Sequence, residues 1–220
     1  IHMGNSIYND VTLVNTVIAN NLLSHTGYDG DNVQGGAIMM HGGDLQLINS
    51  TVVNNQISIT DNSYYGGGSA IWAGDNQNDG DGPHITIFNS IVHSNTIEIN
   101  AGSGFSTTTN DDQFSFDDFN DGVEAYASYS IIGGDNDLGG DEILNLEPEF
   151  LDSTYALHPR SPAIGAGAVQ GEDAEGNTIY APTEDIAGNM RPNPADEDEY
   201  EDREAVPDLG AWENELAVTP

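Results

Sequence analysis

The 220-residue chain contains no cysteine and no lysine, and its only arginines are Arg160, Arg191 and Arg203. Without cysteine there is neither a disulfide framework nor a thiolate metal site. The 37 Asp and Glu residues give a formal net charge of −34, so almost nothing is available to neutralise nucleic-acid phosphates or anionic lipid. No apolar run approaches the length of a membrane span. Nucleic-acid binding and direct membrane insertion are therefore not expected.

What the chain does contain indicates a folded protein with a very acidic surface. Hydrophobic residues make up 37% of the sequence and fall in patterned runs of Val, Ile and Leu, unlike the composition of a disordered chain. Self-repulsion at this net charge is weakened by salt or by bound divalent cations, which favours a saline extracellular setting. The opening Ile1-His2-Met3 reads as a trimmed start, so we expect a fragment of a longer protein.

A repeated segment is the strongest signal in the chain. Segments 13–21, 47–55, 87–95 and 127–134 share apolar residues around a central Asn-Thr, Asn-Ser or Tyr-Ser pair, and their register advances by 34, 40 and 40 residues. The alternation of apolar and polar residues is typical of strands, and the Asn residues suit bends because Asn tolerates a left-handed backbone. Three short strands per repeat in fixed register predict a right-handed parallel β-helix.

The repeat also predicts which residues stack. Coils about 4.8 Å apart would place equivalent residues directly above one another, and stacked Asn side chains would share amide hydrogen bonds. The two expected ladders are Val17, Thr51 and Ile91, and Asn15, Asn49 and Asn89.

Long insertions separate the repeats. Segments 22–34, 56–65 and 96–122 all follow the Asn-ended strand, so stacking would place them on one edge of the solenoid, while segment 73–84 leaves from another corner. Insertions on one face of a repeat protein often form its binding surface, although they can also be merely tolerated loops.

The last part of the chain, about residues 145–213, has a different character. It is interrupted by prolines that forbid regular ladders, among them Pro148, Pro159, Pro162, Pro192 and Pro207. This predicts an irregular wrap that caps the open end of the solenoid. All three arginines lie in this segment, and we expect them to pair with carboxylates such as Asp185 or Asp208.

Several motifs resemble those of known families. The words Gly35-Gly36-Ala37-Ile38 and Asn49-Ser50-Thr51-Val52-Val53-Asn54-Asn55 resemble the repeats of chlamydial polymorphic outer-membrane proteins. Segments 146–151, 155–167, 185–192 and 207–213 are similar, in order, to the choice-of-anchor Q domain of secreted bacterial β-helix proteins. The resemblance implies a pectin-lyase-like solenoid on an extracellular or surface-anchored protein, usually large and often adhesive. The acidic run 196–202 departs from that pattern.

Acidic loops give candidate calcium sites. Carboxylates clustered with Asn and Gly supply the oxygen ligands and sharp turns that Ca²⁺ favours, although solvated turns on a salt-adapted surface would have the same composition. The predicted metal ligands are Asp75, Asp79, Asp81, Asp117, Asp118, Asp121, Asp135 and Asp137. The six histidines are scattered without zinc-ligand spacing, so zinc is not expected.

Candidate ligand-binding residues are fewer. Tyr64 and Tyr65 lie together in one insertion, where they could stack on sugar rings. The phenylalanines of the long insertion, among them Phe114 and Phe116, could instead pin that loop to the solenoid. No catalytic residue is assigned. Lyases of the resembling fold use Lys or Arg as base. A hydrolase could use the acid pairs Asp111-Asp112 and Asp117-Asp118, but neither is expected to lie within a strand, where a catalytic pair would be held rigidly.

These observations predict an all-β chain, a right-handed parallel β-helix with an irregular C-terminal cap. Residues 1–144 are expected to form the coils, and residues 145–220 the last coil and cap of the same domain. The expected function is that of a secreted or cell-surface adhesin, stalk or glycan-binding module with calcium-binding loops. The alternative is a polysaccharide-degrading lyase or glycoside hydrolase.

Overall fold

The computed structural model describes residues 1–4, 9–26, 33–60, 66–74, 82–99, 108–110, 112–116, 123–134, 138–191 and 206–214. All regular secondary structure in these residues is β, which confirms the predicted all-β class. None of the described residues belongs to a helix that could cross a bilayer.

Twenty short strands are present in the described residues. In chain order they are β1 (His2–Met3), β2 (Val11–Val14), β3 (Val17–Ala19), β4 (Leu22–His25), β5 (Val33–Gln34), β6 (Ile38–Met40), β7 (Asp44–Ile48), β8 (Thr51–Val53), β9 (Gln56–Ile59), β10 (Gly66–Gly67), β11 (Ile71–Ala73), β12 (His84–Phe88), β13 (Ile91–His93), β14 (Thr96–Ile99), β15 (Thr108–Asn110), β16 (Phe114–Phe116), β17 (Glu124–Ile132), β18 (Gly139–Leu144), β19 (Gln170–Glu172) and β20 (Thr178–Tyr180).

Strands pair in parallel with the equivalent strand of the next repeat. One sheet has the order β1-β6-β11-β16, and another contains β4-β9-β14 with β15 added antiparallel at its edge. The largest sheet has the order β2-β7-β12-β17-β13-β8-β3, because the long strand β17 pairs with β12 through its first half and with β13 through its second half. Leu13, Leu47, Ile87 and Ala127 lie in one ladder, so the predicted spacings of the repeat are confirmed.

The interior between these sheets is apolar because alternate side chains of each strand point inward. Leu45, Leu47, Ile85 and Ile87 are fully buried there, together with the inward residues of the β6 and β11 strands. Parallel strands buried on both faces read as nearly continuous apolar runs, which is what β8 and β12 show.

Part of the predicted insertions is in fact strand. Leu22–His25, Gln56–Ile59 and Thr96–Ile99 form the sheet β4-β9-β14, so each insertion begins only after them. The prediction that Phe114 and Phe116 lie in a loop was wrong, since strand β16 pairs in register with β11 and Phe114 is buried in the core. Composition alone hid this strand, because the sequence on both sides of it is rich in Asp, Asn and other small polar residues.

Bends between strands recur at equivalent positions. Asn15, Asn49 and Asn89 have φ of 48°, 44° and 50°, which confirms the expected left-handed Asn bends. The same bend is made by Tyr129 and Glu142, with φ of 46° and 54°, in the repeats that follow. The chain direction at this corner is therefore kept even where Asn is replaced.

Neutral polar side chains link the repeats at two buried columns. The Ser50 N–H donates to Ser90 Oγ at 3.0 Å, and the Ser90 N–H donates to Ser130 Oγ at 3.1 Å. In the second column the Asn55 N–H and Nδ2 donate to Asn95 Oδ1 at 2.9 and 2.8 Å. Each buried N–H at the corner is thereby satisfied by the repeat above it.

The position of the amide column differs from the expected one. Among the predicted stack of Asn15, Asn49 and Asn89, Nδ2 of Asn89 donates to Oδ1 of Asn49 at 3.3 Å, whereas Nδ2 of Asn15 donates to the carbonyl of Glu184. The continuous column lies at the next corner instead and is formed by Asn21, Asn55, Asn95 and Gln113. The C-terminal segment competes for the first set of amides, which the sequence did not reveal.

The C-terminal segment covers the side of the sheets rather than only an end. Its backbone contacts successive repeats: the carbonyl of Asp208 accepts from Asn49 Nδ2 at 3.0 Å, and the Gly210 N–H donates to the carbonyl of Asn89 at 2.8 Å. Tyr155, Leu157, Ala163 and Leu209 of this segment pack against the outward residues Val53, Ile91 and Ile131. The segment therefore does more than the expected end cap, because it also shields the apolar outer face of β8 and β13 from solvent.

The amide column predicts a graded effect of substitution. Asn55→Ala removes an acceptor for Asn21 and leaves the buried carbonyls of Ile18 and Val53 and Oδ1 of Asn95 without this donor. We expect a loss of about 2–3 kcal/mol in the free energy of unfolding, measured by urea denaturation. Asn21→Ala, at the exposed end of the same column, is the matched control and should cost under about 1 kcal/mol. Equal losses of free energy in the two variants would contradict the idea that the buried amides contribute more to stability than the exposed one.

Candidate metal centre

All of the residues predicted as sites lie outside the described residues. These are Asp75, Asp79, Asp81, Asp117, Asp118, Asp121, Asp135 and Asp137 as metal ligands, and Tyr64 and Tyr65 as ligand-binding residues. The described strands nevertheless show where the segments that carry most of them begin. Ala73 and Phe116 end paired strands and lie in register, so segments 74–83 and 117–123 leave from neighbouring positions.

A second set of segments leaves from the other corner. His25, Ile59 and Ile99 lie side by side at the ends of β4, β9 and β14. The segment that contains Tyr64 and Tyr65 follows the middle one of these strands. The two groups of segments thus start at the carboxyl ends of strands in two different sheets.

Three side chains that the sequence did not bring together meet on the outer face of the largest sheet. Asp44 begins β7 and His84 begins β12, and the two residues are paired in register. Glu175 lies in the turn between β19 and β20, which are an antiparallel hairpin. His84 Nδ1 is 3.1 Å from Asp44 Oδ1 and 3.8 Å from Glu175 Oε1, and the three ligand atoms all lie within 4.8 Å of one another.

The hairpin is held against the sheet by two contacts. The Ala174 N–H donates to Thr86 Oγ1 at 3.0 Å, and Thr86 is buried beneath the turn. A Cβ on Gly171 would lie 2.7 Å from the ring of Phe88, so glycine is needed for β19 to approach this closely. These contacts bring Glu175 to the pair on the sheet.

The turn itself orients the glutamate. Asp173 Oδ1 accepts from the N–H groups of Glu175 and Asn177, and Asn177 Nδ2 donates to Glu175 Oε2 at 3.1 Å. With Oε2 engaged in this way, Oε1 is the oxygen that faces His84. Glu124, in register with His84 on the next strand, adds another carboxylate to the neighbourhood.

The cleft between sheet and hairpin is small and open to solvent. Its volume is about 80 Å³, and it is lined by Asp44, Leu45, Gln46, His84, Thr86, Asp173, Ala174 and Glu175. Ligand clefts for small molecules are typically about 300 Å³ or larger. The side chains of His84, Asp44 and Glu175 are 31%, 43% and 55% exposed, so an ion from solvent can reach them. The arrangement suits a hydrated ion better than a sugar ring.

A second charged cluster is buried under the C-terminal segment. Arg191 Nη1 lies 2.7 Å from Glu213 Oε2, and the two side chains are only 1% and 3% exposed. Arg191 also donates to the carbonyls of Asp208 and Gly210 and to Asn15 Oδ1. The predicted ion pair of an arginine in this segment is confirmed, but its carboxylate partner is Glu213 rather than Asp185 or Asp208.

Burial and hydrogen bonding shift the pKa values of the carboxyl groups in this cluster in opposite directions. Burial, with a further contribution from Asp208, raises the pKa of Glu213 to about 7, and Arg191 opposes the rise only in part. Burial would also raise the pKa of Asp185, but N–H donors from Glu213, Asn189 and Ala187 outweigh it and lower that pKa below its ordinary value. The hydrogen bonds of Arg191 all go to buried or partly buried groups of the C-terminal segment and to Asn15 of the repeats. This cluster therefore holds the segment against the repeats and is not a candidate binding surface.

The other two arginines of the C-terminal segment are Arg160 and Arg203. Arg160 is exposed, and Arg203 lies outside the described residues. His93 occupies the position filled by Ala19 and Val53 in its ladder and packs over Gly133. His93 therefore belongs to a packed edge of the sheet rather than to the cleft.

Comparisons with known proteins give no relative: no family model, no curated protein and no solved structure matches this chain.

The buried ion pair predicts a large effect of removing its cation. Arg191→Met keeps much of the side-chain volume but leaves Glu213 and three backbone or side-chain oxygens without their donor. We expect the free energy of unfolding to fall by about 3–5 kcal/mol, measured by urea denaturation at pH 7.5. The control Arg160→Met, at an exposed position, should change it by less than about 0.5 kcal/mol. Similar values for the two variants would show that Arg191 does not fasten the segment.

Proposed function

We propose that the chain is a segment of right-handed parallel β-helix that acts outside the cell as an adhesin or stalk. The parallel pairing of equivalent strands one repeat apart supports the solenoid, and crossover connections between parallel strands of one sheet are right-handed in nearly all proteins. The net charge of −34 supports a saline or calcium-containing surrounding, where such a surface is screened. The motif resemblance to surface β-helix proteins points the same way.

The observation that supports a binding role is that the segments after β4, β9 and β14 begin next to one another. Their first residues follow His25, Ile59 and Ile99, which are neighbours in one ladder. Loops that leave stacked repeats at one corner form a continuous surface, and such surfaces are where repeat proteins bind. We propose that this corner binds a polysaccharide, with Tyr64 and Tyr65 stacking on sugar rings.

Calcium is proposed for the corner that follows β11 and β16. Segments 74–83 and 117–123 carry six of the predicted aspartates and begin at the neighbouring residues Ala73 and Phe116. Carboxylates from two adjacent segments can supply the six to eight oxygen ligands that Ca²⁺ takes. A rigid sheet beneath the two segments would hold their first residues a strand spacing apart.

The glycan proposal is tested with a panel of marine and plant polysaccharides in high salt and calcium. We expect co-elution with at least one polymer on size-exclusion chromatography, with the polymer length unchanged. Tyr64→Ala with Tyr65→Ala should abolish co-elution, because both stacking rings are removed. The control Tyr180→Ala, at an exposed position of β20, should leave it intact.

Two other outcomes would overturn the glycan proposal. Shortening of a polymer that is lost in Asp117→Ala with Asp118→Ala would make the chain a polysaccharide-degrading enzyme. Neither shortening nor co-elution with any polymer would leave a structural spacer without a glycan ligand.

The calcium proposal is tested by thermal unfolding at fixed ionic strength. Ligand binding to the folded state alone raises the melting temperature, so millimolar Ca²⁺ should raise it by several degrees more than matched Mg²⁺. The variant Asp79→Asn with Asp81→Asn should lose this difference. Equal shifts with the two cations would indicate charge screening only.

A further inference from the structure

We propose that Asp44, His84 and Glu175 bind a divalent first-row transition metal ion of the Zn²⁺ type, which ties the C-terminal hairpin to the repeats. The site is distinct from the loops proposed for calcium, because all three residues lie on described strands or on the β19–β20 turn. It also does not depend on the glycan-binding proposal.

The spacing of the ligand atoms fits a small tetrahedral ion. Zinc binds His nitrogen and carboxylate oxygen at about 2.0–2.2 Å, so two ligands of a tetrahedral site are about 3.3–3.6 Å apart. His84 Nδ1 lies 3.1 Å from Asp44 Oδ1 and 3.8 Å from Glu175 Oε1, on either side of this range. The carboxylate oxygens of Asp44 and Glu175 lie within 4.8 Å of each other, so shifts of up to roughly 1 Å in these exposed side chains would complete the geometry, with water from the open cleft as the fourth ligand.

The types of donor select the metal. Ca²⁺ and Mg²⁺ take oxygen ligands and six or more of them, whereas an imidazole with two carboxylates suits zinc and its first-row neighbours. The two acidic ligands, with Glu124 close by in register, also place negative charge around a cation. Both carboxylate contacts of this cluster in the described residues are to the His84 imidazole, one from Asp44 and one from Glu175.

The supporting contacts hold the ligands in place before any ion binds. Asn177 Nδ2 engages Oε2 of Glu175 and leaves Oε1 toward the cleft. The Ala174–Thr86 hydrogen bond fixes the turn on β12, and strand pairing fixes Asp44 beside His84. Such second-sphere contacts orient metal ligands and raise affinity.

The functional consequence is a clamp. Asp44 and His84 belong to two successive repeats, and Glu175 belongs to the segment that covers them. An ion shared by all three would favour the docked hairpin over the open one, because only the docked hairpin offers Glu175.

The test is titration of the intact, metal-stripped chain with Co²⁺ and Zn²⁺ at pH 7.5, in the presence of excess Mg²⁺ to occupy the acidic surface. Co²⁺ should bind one per chain with the visible absorption of a tetrahedral site, and Zn²⁺ should displace it. His84→Gln and Glu175→Gln should each weaken binding about tenfold or more, while circular dichroism stays that of the parent chain.

The control is His158→Gln. His158 also has one glutamate nearby, with Nδ1 3.8 Å from Glu149 Oε2, but it belongs to no three-ligand group among the described residues. This variant should bind Co²⁺ as the parent does. Hydrogen exchange of residues 170–180 should slow with Zn²⁺ in the parent and in His158→Gln, but not in His84→Gln.

Two results would overturn the proposal. One is Co²⁺ binding of equal affinity in the parent and in both folded ligand variants, which would place the ion elsewhere. The other is the absence of a saturable site in the parent chain at millimolar Co²⁺.

Discussion

The structure depends on hydrogen bonds that run from each repeat to the next through neutral side chains buried at the corners. Ser90 and Asn95 receive backbone N–H groups from the preceding repeat, and each also bonds carbonyls of its own corner. A slip of one residue would turn every inward side chain outward, so these bonds and the apolar interior specify the same register. Hydroxyl and amide groups can fill this role where carboxylates cannot, because a buried charge without a partner is costly. A chain with 37 acidic residues thus keeps the buried side-chain columns at these corners uncharged.

The same register explains why the C-terminal segment lies where it does. Outward residues such as Ile91 and Phe88 are apolar as well, so this face of the sheets needs cover. The segment supplies it and is fastened by Arg191, whose carboxylate and carbonyl partners are all internal. Gly210, at φ 83° and close to Thr51, allows the backbone to lie directly on β8. Covering the face also creates the cleft, because the β19–β20 turn stops beside the first residues of β7 and β12.

The distribution of charge fits a rigid frame with separate acidic regions. Described strands carry few charges inside, and the acidic segments follow strand ends in the sequence. At one corner they are proposed to bind calcium, and at the cleft His84 changes the donor set toward a transition metal. The corner that follows β4, β9 and β14 is instead proposed to bind sugar. The strands from which the three regions begin belong to three different sheets.

The sequence by itself determined the all-β class, the spacing of the repeat, the ladder of Leu13, Leu47 and Ile87, and the left-handed Asn bends. These follow from local alternation and from Asn chemistry, which are visible in a single chain. Only the tertiary structure decided that Phe114–Phe116 is a core strand, that the continuous amide column runs through Asn55, and that Glu213 is the partner of Arg191. It also brought Glu175 to His84, 91 positions away, through a hairpin whose docking depends on the apolar face beneath it. Contacts of this kind depend on how separate surfaces pack, and no local pattern of residues records that.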